Sequence, residues 1–282
     1  MRIHPRHTQR LAVGVLGAAT LLTLAVLAFI IVFVLKKGLP TVTWAFLSGM
    51  PQDMGRAGGI LPTIVASAIL PLLALVVAVP LGIGTAVYLA EYTRESRFTR
   101  TVRFGTDCLA GVPSIIFGLF GFIFFVILLG MGWSLLAGGL TLGIMVLPTV
   151  IRTAEEAIRA VPTAYREVSC SMGATPWQTV WHVVLPNALP GILTGVMLSV
   201  ARCLEETAVI YFTAGTALRL PASLFDSARP MSVHFYLLAR EGLSNENAYG
   251  TAAVLILAVL AVNLTAYWSM HAFLRRRARK SC

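Results

Sequence analysis

Lysine is nearly missing from this 282-residue sequence: Lys36, Lys37 and Lys280 are the only three, and none follows a glycine. A nucleotide-binding P-loop needs Gly-Lys-Ser or Gly-Lys-Thr, with the lysine on the phosphates. The chain cannot house that kind of ATP site. Cysteine is sparse as well. Cys108, Cys170, Cys203 and Cys282 form no CxxC pair, so they read as ordinary thiols rather than as disulfide partners or metal ligands. Of the five histidines, His4 and His7 belong to a basic tail, while His182, His234 and His271 stand alone. No GxSxG, HExxH or paired-carboxylate set is present, so no chemistry of the chain's own is expected, and no metal or cofactor.

Charge is the next scarcity. Charged residues make up 12% of the chain, against about a quarter in an ordinary soluble domain. Hydrophobic residues make up 57%, and the mean hydropathy is +0.81. The net charge of +10 raises the question of nucleic acid. The basic residues sit in short loops and tails between apolar runs, without an aromatic-studded basic face, so nucleic-acid binding is not expected.

About 20 apolar residues span a bilayer as helix, and six apolar segments are present. They run over 11–35, 61–90, 104–130, 135–151, 191–215 and 251–274. The first is too long for a signal-peptide core and is not closed by a small-x-small cleavage site, so it reads as a transmembrane helix. Pro71, Pro80, Pro113, Gly118 and Gly121 recur within these runs. Membrane helices tolerate such residues because packed neighbours re-satisfy the backbone and small side chains allow close approach. In SIIFGLFGF, Gly118 and Gly121 are either a helix contact face or simply tolerated by lipid.

Arginine and lysine orient the chain. With the N-terminus inside, the inner segments hold 15 of them: Arg2, Arg6, Arg10, Arg94, Arg97, Arg100, Arg103, Arg152, Arg159, Arg166, Arg275, Arg276, Arg277, Arg279 and Lys280. The outer loops hold 6, namely Lys36, Lys37, Arg56, Arg219, Arg229 and Arg240. The positive-inside rule then places both termini in the cytoplasm. The outer loop from about 216 to 250 shows no strong period and reads as loop.

The inner loop, about 153–190, carries clear local signals. AYREVSCSM is helix-compatible, and Gly173 suits the left-handed position past a helix end. Thr175-Pro176-Trp177-Gln178 reads as a capping box with proline at the first helical position. A second short helix is expected to run to Leu185, where Pro186 ends it. Trp177, Val180, Trp181 and Val184 form an apolar stripe at helical spacing. The stripe is expected partly to pack on the chain's own helices and partly to face a second protein.

The pattern Glu167-Val168-Ser169, three residues, Gly173, nine residues, Val183-x-Leu185-Pro186 resembles the EAA loop of ABC importer permeases. The family pattern is Glu-Ala-Ala, three residues, Gly, nine residues, Ile-x-Leu-Pro; Val168, Ser169 and Val183 depart from it conservatively. GGILPTIVASAILPLLALVVAVPLGIGTAVYLAEY, LAGVPSIIFGLFG and RCLEETA are similar to the phosphate permeases, and most to their PstA-type subunit. The resemblance implies an all-α integral membrane protein with the six-helix, type I (MetI-like) importer permease fold in a bacterial cytoplasmic membrane. It implies an N-terminal part over 1–57, a transporter domain over 58–274 and a basic tail over 275–282. It also implies that Glu167, Gly173, Thr175, Pro176, Trp177, Leu185 and Pro186 couple to a separate ATPase. The partners implied are a PstB-like ATPase, a PstC-like second permease, a PstS-like phosphate-binding protein and membrane lipid.

Three charges interrupt the fifth segment. An arginine at mid-bilayer costs about 2.5–3.5 kcal/mol on insertion scales and is rarely set facing lipid. Arg202 lies three residues from Glu205 and four from Glu206, so both carboxylates are expected on the arginine's side of one helix. Three readings are open: an internal salt bridge holding helices in register, a charged site on a translocation path, or a position nearer the membrane interface than the apolar run suggests. An arginine fork matches phosphate oxygens, and a neighbouring glutamate would keep the anion from binding too tightly. Glu205 stands where the phosphate permeases usually have a small residue. Other oxyanions such as molybdate, sulfate or phosphonate, and a self-contained carrier or channel, remain as alternatives.

Overall fold

The computed structural model describes residues 5–278. Residues 1–4 and 279–282, which hold the extremes of both basic tails, lie outside the described residues. The chain is helical. α1 (Pro5–Gly38) is followed by the short α2 (Trp44–Ser48) and a two-residue hairpin, β1 (Pro51–Gln52) with β2 (Ala57–Gly58). Next come α3 (Leu61–Val87), α4 (Arg97–Ala110), α5 (Ser114–Gly121) and α6 (Leu135–Arg159). The remainder is α7 (Thr163–Ser171), α8 (Pro176–Thr179), α9 (Leu185–Glu205), α10 (Ala208–Thr213), α11 (Met231–Arg240) and α12 (Asn245–Ala278). Wider π turns extend α3 over Tyr88–Tyr92 and α5 over Phe122–Leu128, and join α8 to α9 over Val180–Val184.

Five stretches among the described residues are long and apolar enough to cross a membrane, and a bent pair supplies a sixth. The chain is an all-α, multi-pass membrane protein.

Small residues set the packing. A Cβ on Gly139 would meet Leu73 at 2.5 Å, and one on Gly82 would meet Val150 at 2.6 Å. Contacts therefore advance together along α3 and α6, and the two helices run parallel. Gly191 meets Ala157 while Gly195 meets Thr153, so α9 runs antiparallel to α6. Parallel α3 and α6 require a crossing between them, which 114–128 supplies. Around this frame Leu70, Ala74, Leu142, Val146, Val209 and Ile210 form the main core. A second core of Ala86, Ile158, Val184, Ala188 and Ile192 closes the arginine-rich end.

Four sequence expectations change here. The third segment does not continue as one helix over 104–130. It breaks between α4 and the stretch from Ser114 to Leu128, which meet at 98°. Pro113 forces the break: it has no N–H to continue the ladder and stands extended at φ −57, ψ 138. α4 is left as a separate helix carrying Arg97, Arg100 and Arg103. The fourth segment is longer than expected, because α6 continues through Glu155 to Arg159. Pro186 does not end the helix that starts at Pro176. The π turn before it resets the ladder, so the proline falls in a first turn, where a missing N–H is harmless. The supposed outer loop contains α11, whose Val233, His234, Leu237 and Leu238 are buried.

Gly118 and Gly121 are a contact face. A Cβ on Gly118 would press on Ala208 and Val209 at 3.1 Å, and one on Gly121 on Thr213 at 2.8 Å.

At the end opposite the arginines, the hairpin lies over α11 and α12. Its turn uses left-handed Asp53 and Met54, and Asn247 Nδ2 donates to the carbonyls of Gly55 and Arg56 at 3.0 and 2.9 Å. Gly55, at φ +96, lies against His234, whose Cε1 stands 2.6 Å from where a side chain would begin. His234 is 1% exposed. Burial, helped by the positive charge of Arg229, pulls its imidazole down from near 6.5 to about 4. As pH falls below 6.5 the unfolded chain takes up this proton first. Stability is thus present above pH 6.5 and lost as pH falls towards 4, with no further loss below that. The difference is worth about 3 kcal/mol at 1.36 kcal/mol per pH unit. Thermal melts of the purified chain at pH 7 and 4.5 should show this loss, and His234→Leu should remove it. An unchanged pH slope in that variant would assign the loss to other groups.

Candidate functional site

Two places in the fold gather the residues singled out from the sequence, and one continuous helical run connects them. The first is the loop between α6 and α9. α7 ends as expected at Gly173, which adopts φ +82. Thr175 and Gln178 form the capping box: Thr175 Oγ1 accepts the Gln178 N–H, and Gln178 Oε1 accepts the Thr175 N–H at 2.9 Å. The Ser169 and Thr179 hydroxyls bond at 2.9 Å and tie α7 to α8.

The apolar stripe divides. Val180 and Val184 are buried at 3% and 0% exposure, Val184 within the second core, whereas Trp177 and Trp181 stand 61% and 57% exposed. The two indoles stack on each other, centroids 5.9 Å apart and planes at 16°. Glu167 and Thr175 are exposed, and Leu185 and Pro186 are half-buried. Beside the indoles, Tyr165, Val168, Met172 and Val183 line an open cleft of about 710 Å³. Among the described residues, nothing covers the two indoles. The turn is capped and the exposed side chains are mostly apolar and aromatic, the composition found at the core of protein interfaces.

The second place is the end of α9. Arg202 and Glu205 lie in its last turn, both exposed. The expected side-by-side arrangement with Glu206 does not form. The helix stops at Glu205, and Glu206 is extended at φ −70, ψ 131. Its Oε1 accepts the N–H groups of Ala208 and Val209 at 3.1 and 3.3 Å, so the carboxylate caps α10 instead of pairing with the arginine. Two unsatisfied helix N–H groups and a positive helix end draw it there. Ser232 at the start of α11 donates to the Glu206 carbonyl at 2.7 Å, and Gly118 presses on the far side of the break. Among the described residues no carboxylate forms a salt bridge with Arg202. The internal salt bridge is therefore absent from this structure.

Arg202 lies about 26 Å along α9 from Leu185, at 1.5 Å per residue. It is exposed and lies in the last turn of α9, near the end of the apolar stretch Pro176–Glu205.

Sequence reasoning missed the ion pairs at the arginine-rich end. Glu155, 8% exposed, accepts from Arg103 Nε at 2.9 Å and Arg159 Nε at 3.0 Å, joining α4 to α6. Arg166 pairs with Glu91 at 2.6 Å. Only the i, i+4 spacing of Glu155 and Arg159 could have been read in advance. The other partners lie 52 and 75 residues apart.

Residues 78–279 match the family model of the binding-protein-dependent transport system inner membrane component. The probable ABC transporter permease YqgI of Bacillus subtilis is 32% identical over 277 residues, covering 93% of this chain and 94% of that protein. The phosphate transport system permease PstA of Mycobacterium leprae is 35% identical over 271 residues, covering 93% and 88%. Among solved structures, a bacterial alginate ABC transporter in complex with an alginate-bound periplasmic protein superposes with TM-score 0.67 at 15% identity, over 92% of this chain and 93% of that one. The inward-facing methionine transporter MetNI gives 0.61 at 21% identity, over 76% and 94%. At these identities the two structures establish the fold.

Proposed function

Because this chain belongs to the family of binding-protein-dependent transport system inner membrane components, we propose that it is the permease subunit of an ATP-driven importer for inorganic phosphate. It is a multi-pass protein of a bacterial inner membrane. The observation that carries the reading is the continuous helical run from Pro176 to Glu205. It joins an exposed, capped docking surface at one end to Arg202 at the other. A self-contained carrier has no use for such a surface.

ATP hydrolysis belongs to a partner, a PstB-like subunit that receives Trp177, Trp181 and the cleft beside them. The positive-inside count supports placing this surface, and both termini, in the cytoplasm. A second permease, PstC-like, covers the face that carries Arg202 and Glu205. Charged side chains on a membrane-spanning helix rarely face lipid, which supports a partner or a water-filled path beside Arg202 and Glu205. A PstS-like binding protein delivers phosphate at the opposite end. In this arrangement Arg202 offers its donors to the passing anion. Glu206, held about one turn away by the α10 N–H groups, limits how tightly the anion binds. Phosphate as cargo is supported by the similarity to phosphate permeases and by the chemistry of the arginine fork.

Labelled-phosphate uptake by a phosphate-starved strain lacking this chain tests the reading. Restoring the gene should restore uptake, with competition by unlabelled phosphate but not by molybdate, sulfate or a phosphonate. Unchanged uptake on deletion, or competition by one of the others, would rule out phosphate as the cargo.

A further inference from the structure

Arg166 immediately precedes Glu167 of the loop motif, yet it faces the opposite way. Its side chain is 22% exposed, and that of its partner Glu91 is 11% exposed. Nε lies 3.1 Å from each Glu91 oxygen, and Nη2 donates to Oε1 at 2.6 Å. The remaining donors go to the end of α6: Nη2 to the Ile158 carbonyl at 2.9 Å and Nη1 to the Val161 carbonyl at 2.6 Å. One guanidinium thus joins three elements. It sits on α7, grips the π turn that ends α3, and donates to two carbonyls where α6 finishes, that of Ile158, which also accepts the Val161 N–H, and that of Val161. Each contact suits its chemistry. The carboxylate takes a planar fork, and the negative end of a helix takes a cation.

We propose that Arg166 is a positioning residue for transport: through Glu91 and the end of α6 it makes the docking loop move as one body with α3 and α6. The inference deepens the permease reading and rests on it. The loop already has one rigid route into the membrane, the run from α8 into α9 that ends at Arg202. That route drives a single helix. α3 and α6 form the parallel central pair against which α9 and α10 pack, so an importer that changes access must move them too. Arg166 supplies the second connection. A displacement of α7 must carry Glu91 with it or break a charge-assisted bidentate pair shielded from most solvent. Arg103, Glu155 and Arg159 tie α4 to the same end of α6, which enlarges the body that moves.

The test uses the complete importer in nanodiscs, with hydrogen exchange read by mass spectrometry before and after trapping with ATP and vanadate. In the wild type, trapping should change exchange both in the loop, 163–175, and at the end of α3, 85–92. In Arg166→Gln the change should stay confined to the loop. Glu91→Gln lies on α3 rather than on the docking surface, and should give the same result. In liposomes both variants should carry at least tenfold less phosphate per ATP hydrolysed. A response at 85–92 in both variants, or an unaltered transport-to-hydrolysis ratio, would overturn the proposal. Failure of both variants to assemble would also overturn it, by assigning the pair to folding alone. A wild-type importer that carries no phosphate would refute the cargo assignment instead, and the exchange comparison would still decide the role of Arg166.

Discussion

Arg202→Ala should lower phosphate uptake by at least tenfold while leaving the amount of assembled importer near wild type. Among the described residues the guanidinium forms no salt bridge, and it is exposed, so its removal should take little support from the fold. A hydrogen bond to a charged group contributes about 1.5–3 kcal/mol, which corresponds to roughly 10- to 100-fold when lost at the step that needs it. Glu206 separates charge from structure. Glu206→Gln keeps an oxygen for the Ala208 and Val209 N–H groups but removes the negative charge. It should assemble normally and transport several-fold more slowly. Glu206→Ala loses the cap as well, at about 1 kcal/mol, and should also reduce assembly. Wild-type uptake in both Arg202→Ala and Glu206→Gln would reduce this site to a helix break with a cap.

The second large effect is expected at the docking surface. Trp177→Ala combined with Trp181→Ala should weaken ATPase association by 30-fold or more, since buried tryptophan anchors commonly carry 2 kcal/mol or more of an interface. The melting temperature of the permease should barely change, because the two indoles rest mainly on each other and on solvent. Val184→Ala is the contrasting variant. Its side chain is fully buried beside Ile158 and Ala188, so it should lower the melting temperature while preserving the exposed surface. Titrating the purified ATPase onto each variant, alongside thermal melts, distinguishes the two. A Trp177→Ala, Trp181→Ala double variant that melts early yet binds at full strength would make the indoles part of the core.

Several features that depend on neighbours in sequence were legible in it. The capping box at Thr175 and Gln178 and the left-handed Gly173 are local matters of dihedral preference and hydrogen-bond supply; six apolar runs were legible by length, although the third breaks at Pro113 and the fifth at Glu206. The EAA spacing from Glu167 to Pro186 was legible for the same reason. Proline was ambiguous, because its effect depends on where the backbone ladder is interrupted. Pro113 breaks a helix, Pro148 lies inside one, and Pro186 restarts one after a π turn.

Tertiary structure decided what happens among the charges. The positions of Arg202, Glu205 and Glu206 allowed a pairing on one helical face. That pairing is lost once the helix ends at Glu205 and Glu206 turns to the N–H groups of α10. The side of the stripe that Trp177 and Val184 each take is set by the second core, which no local window contains. Arg166 and Glu91 meet only because α3 and α6 end together in the fold. Sequence fixes which hydrogen-bonding groups and apolar surfaces must be satisfied; packing between distant segments decides which partner satisfies each one.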